Sequence, residues 1–262
     1  MQPQVVLITG ASGGIGAELA KVAAAHGHDL VLVARDLGPL QTLADALTKR
    51  HDNAVRVLSK DLSGPQAAQE LFDELQASGT VVDILINNAG FGLYGQFWRS
   101  DAGRTLDMLQ VNVVTLTHLC RLFLPQMIER RRGKVLNVAS IAAFQPGPMM
   151  AVYYASKAYV LSFSEALANE LKGSGVTMTA LCPGLTRTPF AQRAGLDLSR
   201  VFWWIPVSDP HSVTLVGYRA MMRGKATAIP GVLSRLVAFS TRFVPRRVAA
   251  AIVRAMQKRV AR

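Results

Sequence analysis

The chain has 262 residues, of which 50% are hydrophobic and 18% are charged. These proportions exclude an intrinsically disordered chain and suffice for one large α/β domain with a buried core. No apolar run reaches the roughly 18 residues of a membrane-spanning helix, and the N-terminus lacks the pattern of a signal peptide. Cys120 and Cys182, the only two cysteines, lie among apolar neighbours. We therefore expect buried, reduced thiols and a cytoplasmic protein.

The net charge of +12 is concentrated near the C-terminus. Residues 1–209 carry 18 Lys and Arg against 17 Asp and Glu, whereas residues 210–262 carry 11 basic residues and no acid. Such a segment can face anionic lipid, nucleic acid or an acidic partner.

Short apolar runs alternate with helical patterns along the chain, which predicts an α/β fold with a parallel sheet covered on both faces. The predicted strands are residues 5–8, 30–34, 55–58, 84–86, 133–140, 176–181 and 226–229. The predicted helices end near residue 27, begin near residue 37, and cover residues 65–76, 104–127, 153–172, 210–222, 232–243 and 248–256.

The first strand leads into Thr9-Gly10-Ala11-Ser12-Gly13-Gly14-Ile15-Gly16, which a helical pattern follows. Glycines let the backbone approach a pyrophosphate, and the N-terminus of a helix supplies unpaired N–H groups and a positive dipole. We interpret this loop as a nucleotide-binding site rather than a structural turn. The expected cofactor contacts are Gly10, Ser12, Gly13, Gly14, Ile15 and Gly16.

The residues after the second strand indicate which dinucleotide binds. Ala34 stands where a site that prefers NAD is expected to carry an acid for the ribose hydroxyls. Arg35 follows, and its planar guanidinium suits a 2′-phosphate. Asp36 is the counter-signal, but we expect it to cap the next helix. The sequence therefore favours NADP(H) over NAD(H).

The stretch from Ser140 to Lys157 carries the candidate chemistry. In a helix, Tyr153 and Lys157 project from one face, and the ammonium is expected to lower the pKa of the phenol. Tyr153 would then serve as a proton donor and acceptor. Ser140 ends a predicted strand, where open α/β sheets bind ligands. Tyr154 has the wrong spacing to Lys157 and is assigned to packing.

Six motifs in this order resemble those of the short-chain dehydrogenase/reductase family, over roughly residues 4–190. Besides the glycine loop, residues 61–62 resemble its adenine contact, residues 87–90 its central-sheet motif, and residues 183–188 its segment beside the nicotinamide. The resemblance implies a doubly wound parallel sheet of the Rossmann type, with about seven strands and helices on both faces. It adds to the cofactor contacts Arg35, Asp61, Leu62, Asn88, Ala89, Gly90, Tyr153, Lys157, Pro183, Gly184, Thr186 and Thr188.

The same resemblance implies a catalytic tetrad of Asn112, Ser140, Tyr153 and Lys157. Ser140 would hydrogen-bond a substrate carbonyl, and Tyr153 would protonate the forming alkoxide. Lys157 would lower the pKa of Tyr153 and hold the nicotinamide ribose. Asn112 would link Lys157 to solvent through a water, in a locally reshaped helix. These roles imply reversible hydride transfer between a nicotinamide and a carbonyl or secondary alcohol carbon, without a metal.

Large apolar residues at loop positions predict a hydrophobic substrate. One group, Phe202-Trp203-Trp204-Ile205-Pro206, falls where the family has a flexible substrate lid. The expected substrate contacts are Ser140, Tyr153, Phe91, Phe144, Met149, Phe202 and Trp203.

We expect a single domain over residues 1–262, with a cofactor-binding and catalytic core at 1–190, a lid and following helix at 190–225, and a basic amphipathic segment at 231–262. That last segment either packs on the body or on a second subunit, which we favour, or lies on an anionic membrane surface. We expect no nucleic acid, because no recognition fold accompanies the charge. The family resemblance implies a homodimer or homotetramer paired through long helices.

Two functions remain open. The first is an NADP(H)-dependent oxidoreductase, and the second is a non-catalytic NADP(H)-binding sensor or scaffold that acts through its basic C-terminal segment. The intact tetrad favours the enzyme, because a sensor does not need these four residues together.

Overall fold

Seven parallel strands form one sheet in a computed structural model that describes residues 3–195 and 207–258. The expected substrate contacts Phe202 and Trp203 lie outside the described residues. The strands are β1 Val5–Thr9, β2 Asp29–Ala34, β3 Val55–Ser59, β4 Ile84–Asn87, β5 Gly133–Val138, β6 Val176–Leu181 and β7 Thr227–Ala228. The α-helices are α1 Gly14–Ala25, α2 Leu37–Arg50, α3 Ala67–Ala77, α4 Ala102–Leu109, α5 Leu116–Glu129, α6 Ala151–Glu170, α7 Phe190–Arg193, α8 Pro210–Met222, α9 Val232–Ser240 and α10 Arg246–Lys258.

The strand order β3-β2-β1-β4-β5-β6-β7 confirms the predicted doubly wound sheet. The chain builds outward from β1 to β3 and then returns to place β4 on the other side of β1. At this reversal the loops after β1 and β4 diverge to opposite faces and leave a crevice at the carboxyl ends of the strands. The two loops are the glycine loop and the loop that begins with Asn88.

Most strand residues are apolar, as a sheet covered on both faces requires. On one face, α3, α5 and α6 bury residues such as Leu71, Phe123 and Val160 against the sheet. On the other face, α1, α2 and α8 bury residues such as Leu19 and Met221. The prediction of helices on both faces is therefore confirmed.

The helical segment predicted as a single helix at residues 104–127 is reshaped in its middle. A π-helical turn at Gln110–Thr115 separates α4 from α5, and it contains the buried side chain of Asn112. Such turns are rare in proteins, and those that occur are often found at functional sites. By length and by a mean hydropathy of 1.2 alone, residues 102–129 could span a membrane; here α5 packs its apolar face on the sheet.

Candidate active site

The glycine loop is shaped by contacts that a side chain would prevent. Gly10 has a φ of +66°, and a Cβ there would lie 2.8 Å from the Cα of Ala89. A Cβ at Gly16 would collide with the carbonyl oxygen of Gly10. Helix α1 begins at Gly14, has no acid in its first turn, and receives no side-chain cap from Gly13. Its first N–H groups are therefore offered to an anion rather than to a side chain.

Thr9 joins the two loops that border the crevice, and sequence reasoning did not include it among the site residues. Its buried hydroxyl accepts hydrogen bonds from the main-chain N–H groups of Asn88 and Ala89, both at 3.0 Å. In return, the Asn88 amide donates to the main-chain carbonyls of Thr9 and Gly10, at 2.9 and 3.0 Å. The signal was the threonine that begins the T-G-x-x-x-G-x-G pattern.

The segment after β6 closes the crevice on its far side. Thr188 lies so close to Gly14 that a Cβ added at Gly14 would be 3.2 Å from the Cβ of Thr188. The carbonyl of Pro183 accepts a hydrogen bond from the N–H of Ile141, which ties this segment to the residue after Ser140. Thr186 is buried, and its hydroxyl donates to the carbonyl of Gly184 at 3.0 Å. Residues 183–188 and the glycine loop therefore face each other across the crevice.

The residues expected to contact the adenosine end lie at the open side of the sheet. Arg35 and Asp36 are exposed directly after β2, while Ser12 is partly buried in the glycine loop. Asp36 occupies the position that caps α2, but its side chain accepts no capping hydrogen bond, so its expected role as a side-chain cap is wrong. The Asp61 side chain stabilises the turn that follows it, because it accepts hydrogen bonds from the N–H and the hydroxyl of Ser63.

These features fit a dinucleotide. Close backbone approach at Gly10 and Gly16, an uncapped helix N-terminus, and a crevice at the strand reversal are what a pyrophosphate requires. Ile15 and Leu62 flank this region, Leu62 buried and Ile15 half-buried.

Tyr153 lies in an apolar cluster at the start of α6 and is 9% exposed. Its ring packs against Phe190, with centroids 5.2 Å apart, and shares the cluster with Phe91 and Met150. Burial raises the pKa of Tyr153, while a hydrogen bond with the Ser140 side chain lowers it. The expectation that the pKa of Tyr153 is lowered is therefore wrong, because burial outweighs the groups that favour the phenolate. Tyr153 is a neutral phenol at physiological pH, which is the form that can donate a proton.

Lys157 is buried beside Tyr153. Its ammonium nitrogen lies 5.9 Å from the centroid of the Tyr153 ring and donates to the carbonyl of Val138 at 2.7 Å. Burial lowers the pKa of Lys157 to about 8, so the ammonium keeps its charge at neutral pH. A Cβ at Gly90 would lie 3.5 Å from this nitrogen and 2.9 Å from the side-chain oxygen of Asn112. Gly90 thus brings the cofactor loop against two of the expected tetrad residues.

Asn112 is held by protein groups on both ends of its amide. Its oxygen accepts from the N–H of Phe91 at 3.1 Å, and its nitrogen donates to the carbonyl of Phe91 at 3.0 Å. The nitrogen also donates to the Ser156 hydroxyl, which itself donates to the carbonyl of Tyr153. Ser156 was missed by sequence reasoning because a serine inside a helix carries no signal of its own. The amide of Asn112 is therefore fixed by the protein at both its oxygen and its nitrogen.

The expected substrate contacts separate in space. Phe91 packs in the cluster around Tyr153, whereas Phe144 packs against the main core of the sheet. Met149 has a φ of +70° and lines a cavity of about 550 Å³ next to the cluster. Tyr153 itself does not line that cavity. Tyr154, assigned to packing, presses its ring against Gly147, where a Cβ would collide with it.

Metal binding finds no support in the part of the chain that the structure covers. Among residues 3–195 and 207–258, no group of three or more His, Cys, Asp or Glu is placed to hold an ion.

Comparisons with known proteins agree with this geometry. The model of the short chain dehydrogenase family matches residues 4–198. The chain is 31% identical to 17-beta-hydroxysteroid dehydrogenase type 3 of Mus musculus over 191 residues, which are 72% of this chain and 62% of the mouse protein. The chain thus spans less than two thirds of that relative's length.

Two solved structures are similar over almost the whole chain. A short-chain dehydrogenase from Sphingobium yanoikuyae in complex with NADPH is 34% identical, with a TM-score of 0.82, over 92% of this chain and 93% of that one. A short chain dehydrogenase/reductase from Burkholderia phymatum in complex with NAD is 28% identical, with a TM-score of 0.79, over 92% of this chain and 95% of that one. With its sheet, its glycine loop and its family match together, the chain belongs to the short-chain dehydrogenase/reductase family.

Proposed function

We propose that the protein is an NADP(H)-dependent oxidoreductase that interconverts a ketone and a secondary alcohol on a hydrophobic substrate. The observation that carries this proposal is the contact of Gly90, in the cofactor crevice, with the buried Lys157 ammonium and the Asn112 amide, next to Tyr153. Burial of a charge is costly; a binding-only protein could use the ammonium for the nicotinamide ribose, but it would have no use for a buried phenol beside that ammonium.

The glycine loop and the N-terminus of α1 would hold the pyrophosphate, and Lys157 would reach the nicotinamide ribose. Arg35, with help from Ser12, would bind a 2′-phosphate, which is the basis for preferring NADP(H). NADPH in the Sphingobium relative supports this choice, while NAD in the Burkholderia relative leaves the contribution of Arg35 to be measured. The chemistry that this cofactor supplies when bound is hydride transfer to or from the substrate carbon.

The protein's own residues would handle the oxygen and its proton. Ser140 would donate a hydrogen bond to the carbonyl oxygen and hold it beside the Tyr153 hydroxyl. Tyr153, kept neutral by burial, would give its proton to the oxygen as negative charge develops there. The Lys157 ammonium would stabilise the phenolate left behind. Asn112 would fix the loop at Phe91 and would link Lys157 to solvent through a water, which would restore the proton.

The substrate would be apolar around its reacting carbon. Tyr153 stands among the apolar side chains of Phe91, Met150 and Phe190. A substrate such as a steroid, a fatty-acyl compound or an aromatic ketone suits this surface. The name of the mouse relative points to the same class.

The assembly and location of the protein are further parts of the proposal. Helices α5 and α6 expose Ile128 and Tyr159, and the preceding π turn exposes Val114, which suits pairing of subunits in a homodimer or homotetramer. Helices α9 and α10 expose Leu236, Phe239 and other apolar side chains among arginines, which suits peripheral contact with a membrane from the cytoplasmic side.

The test is NADPH oxidation, followed by the absorbance of the reduced nicotinamide, with a panel of apolar ketones, acyl thioesters and quinones. NADH is run in parallel. Turnover with NADPH supports the oxidoreductase and identifies the substrate class. Tight NADPH binding without turnover of any substrate would support the sensor or scaffold instead.

A further inference from the structure

The cavity of about 550 Å³ lies beside the apolar cluster of Tyr153 and shares part of its lining with that cluster. The loop after β4 and the start of α6 form one side of it, and α10 forms the other. Its lining includes Phe97, Trp98, Met108 and Met149, so most of its surface is apolar. A volume of this size accommodates a drug-sized or lipid-sized ligand.

One face of helix α10 lines the cavity. Arg247, Ala250, Ala251 and Arg254 line it, and these positions follow each other at helical intervals of three and four. The two arginines are seven residues apart, or about 10.5 Å along the axis. The alanines between them are small and leave space over the helix. The result is an apolar floor of alanines with an arginine at either end.

Contacts elsewhere on α10 fix the helix against the body. Ala249 and Val253 are buried. The hydroxyl of Tyr94 donates to the carbonyl of Gln257 at 2.8 Å, and the amide of Gln257 donates to the hydroxyl of Tyr154 at 3.4 Å. The arginine face is therefore held in place by residues that do not belong to it.

Among residues 3–195 and 207–258, no carboxylate is paired with the charge of this face. No aspartate or glutamate of these ranges lines the cavity, and neither Arg247 nor Arg254 forms an ion pair within them. Helix α10 also begins with Arg246 and Arg247 and has no acid in its first turn. Cations at the positive end of a helix are unfavourable, and a bound anion would offset this.

The cavity adjoins the cluster of Tyr153 through side chains that belong to both. Met150 lines the cavity and also packs in the cluster of Tyr153. A Cβ at Gly92 would lie 3.0 Å from the terminal methyl of Met150 and 3.3 Å from the ring of Tyr153. Methionine is unbranched and adapts its shape readily, so the two spaces can join around it.

From these contacts we infer that the cavity is the distal part of the substrate site, and that Arg247 and Arg254 bind an anionic group at the remote end of an otherwise apolar substrate. The ligand class is an amphipathic anion, in which an alkyl or polycyclic body carries a carboxylate or a phosphate. The inference rests on the proposed function where it calls the ligand a substrate, but binding of an anion at this site can be tested without turnover.

The first experiment measures binding by calorimetry, with dodecyl phosphate and 1-dodecanol kept below their aggregation limits. The wild-type protein should bind the phosphate at least about tenfold more tightly than the alcohol, because charge-assisted hydrogen bonds form only with the anion. Arg247→Gln and Arg254→Gln should each lose about tenfold for the phosphate and leave the alcohol unchanged. Equal affinity of the wild type for both ligands would overturn the inference.

Arg246→Gln is the matched control, because it removes the same charge one position away and does not line the cavity. It should bind both ligands as the wild type does. An equal loss in all three variants would mean that diffuse charge, and not this cavity, attracts the anion. Ala251→Phe should block both ligands by filling the floor, with circular dichroism as the check on folding; unchanged binding in that variant would place the ligand elsewhere and overturn the inference.

The second experiment distinguishes a free anionic substrate from a lipid headgroup. It also distinguishes failure of this inference from failure of the proposed function. A long-chain ketone that ends in a carboxylate is compared with its methyl ester in the NADPH assay. Arg247→Gln and Arg254→Gln should lower kcat/KM about tenfold for the acid alone. Binding selectivity without turnover of either ketone would refute the oxidoreductase and keep the anion site. Preference for phosphatidylglycerol vesicles over free dodecyl phosphate, lost equally in Arg246→Gln, would assign the arginines to a membrane surface and refute the site.

Discussion

The ammonium nitrogen of Lys157 donates a hydrogen bond to the main-chain carbonyl of Val138 over 2.7 Å. Val138 is the last residue of β5, two positions before Ser140, so this bond ties α6 to the strand end that presents the serine. A carbonyl stabilises an ammonium only in part, and burial still lowers the pKa of Lys157 to about 8. Lys157 is thus held in position at a cost in stability, as is usual for a group kept for its chemistry.

That cost predicts a pH dependence of stability. Between pH 8 and 10.5 the unfolded chain keeps the Lys157 proton while the folded chain releases it, so unfolding takes up a proton and the Lys157 contribution to stability rises with pH. Relative to Lys157→Met, the wild type should gain about 1 kcal/mol in the free energy of unfolding from pH 7 to pH 9. Urea titrations at the two pH values measure it.

Lys172→Met, at an exposed lysine, is the control for that comparison, and its difference from the wild type should not change over the same range. If the difference in the free energy of unfolding between the wild type and Lys157→Met were also constant, the pKa of Lys157 would not be lowered in the folded protein.

Removal of the Tyr153 hydroxyl should abolish the proton transfer and leave the cofactor crevice intact. Tyr153→Phe keeps the ring that packs on Phe190, so we expect kcat to fall about 10²- to 10⁴-fold while NADPH binding is retained. Steady-state kinetics and a fluorescence titration with NADPH measure the two effects. Tyr159→Phe, at an exposed tyrosine of the same helix, should behave as the wild type. Turnover retained in Tyr153→Phe would remove Tyr153 from the mechanism.

A methyl group at residue 90 should damage the site through its neighbours. In Gly90→Ala the new Cβ would meet the Asn112 oxygen at 2.9 Å and the Lys157 nitrogen at 3.5 Å, so Asn112 must move away from Phe91. We expect a lower Tm and at least about a tenfold loss in kcat/KM. Gly38→Ala in α2, where an added Cβ meets nothing within 4 Å, should keep both values. Wild-type kinetics in Gly90→Ala would show that this close approach is unimportant.

Both thiols should be unreactive in the folded protein. Cys120 and Cys182 are buried, and burial raises the pKa of each to about 12. Since the thiolate is the reactive form, a disulfide reagent at pH 8 should label neither thiol until denaturant is added. The measurement is a thiol titration with and without urea, and rapid labelling of one thiol in the native protein would contradict the burial described for it.

The sheet could be predicted from the sequence because most strands are short, mainly apolar runs, and such a pattern is visible in the local sequence. The reshaped helix around Asn112 could not be read from periodicity, since residues 104–127 keep a helical pattern through the π turn; only the family resemblance suggested it. The pKa of Tyr153 was predicted in the wrong direction for a related reason. The spacing to Lys157 is local, whereas Phe91 and Phe190, which bury the phenol, come from distant parts of the chain.

Other parts of the site depend on pairings that no local pattern reveals. The hydroxyl of Thr9 meets the N–H of Asn88 across 79 positions, and that of Tyr94 meets Gln257 across 163. An amphipathic pattern predicted α10, but which side of it would face the cavity depends on those contacts. Asp36 shows the converse, because its position at the start of α2 was predicted correctly while its side chain makes no cap.

Arg35 offers the sharpest prediction about the cofactor, because its exposed guanidinium follows β2 and can be removed without disturbing the core. In Arg35→Gln, we expect kcat/KM for NADPH to fall at least about tenfold, while that for NADH stays nearly constant, since only NADPH carries the 2′-phosphate. Arg50→Gln, at the far end of α2, removes the same charge and should alter neither value. The ratio of the two kcat/KM values, measured in one buffer of fixed ionic strength, excludes a general effect of charge. If Arg35→Gln weakened both cofactors equally, the guanidinium would act on a part that they share, and the preference for NADP(H) would need another residue.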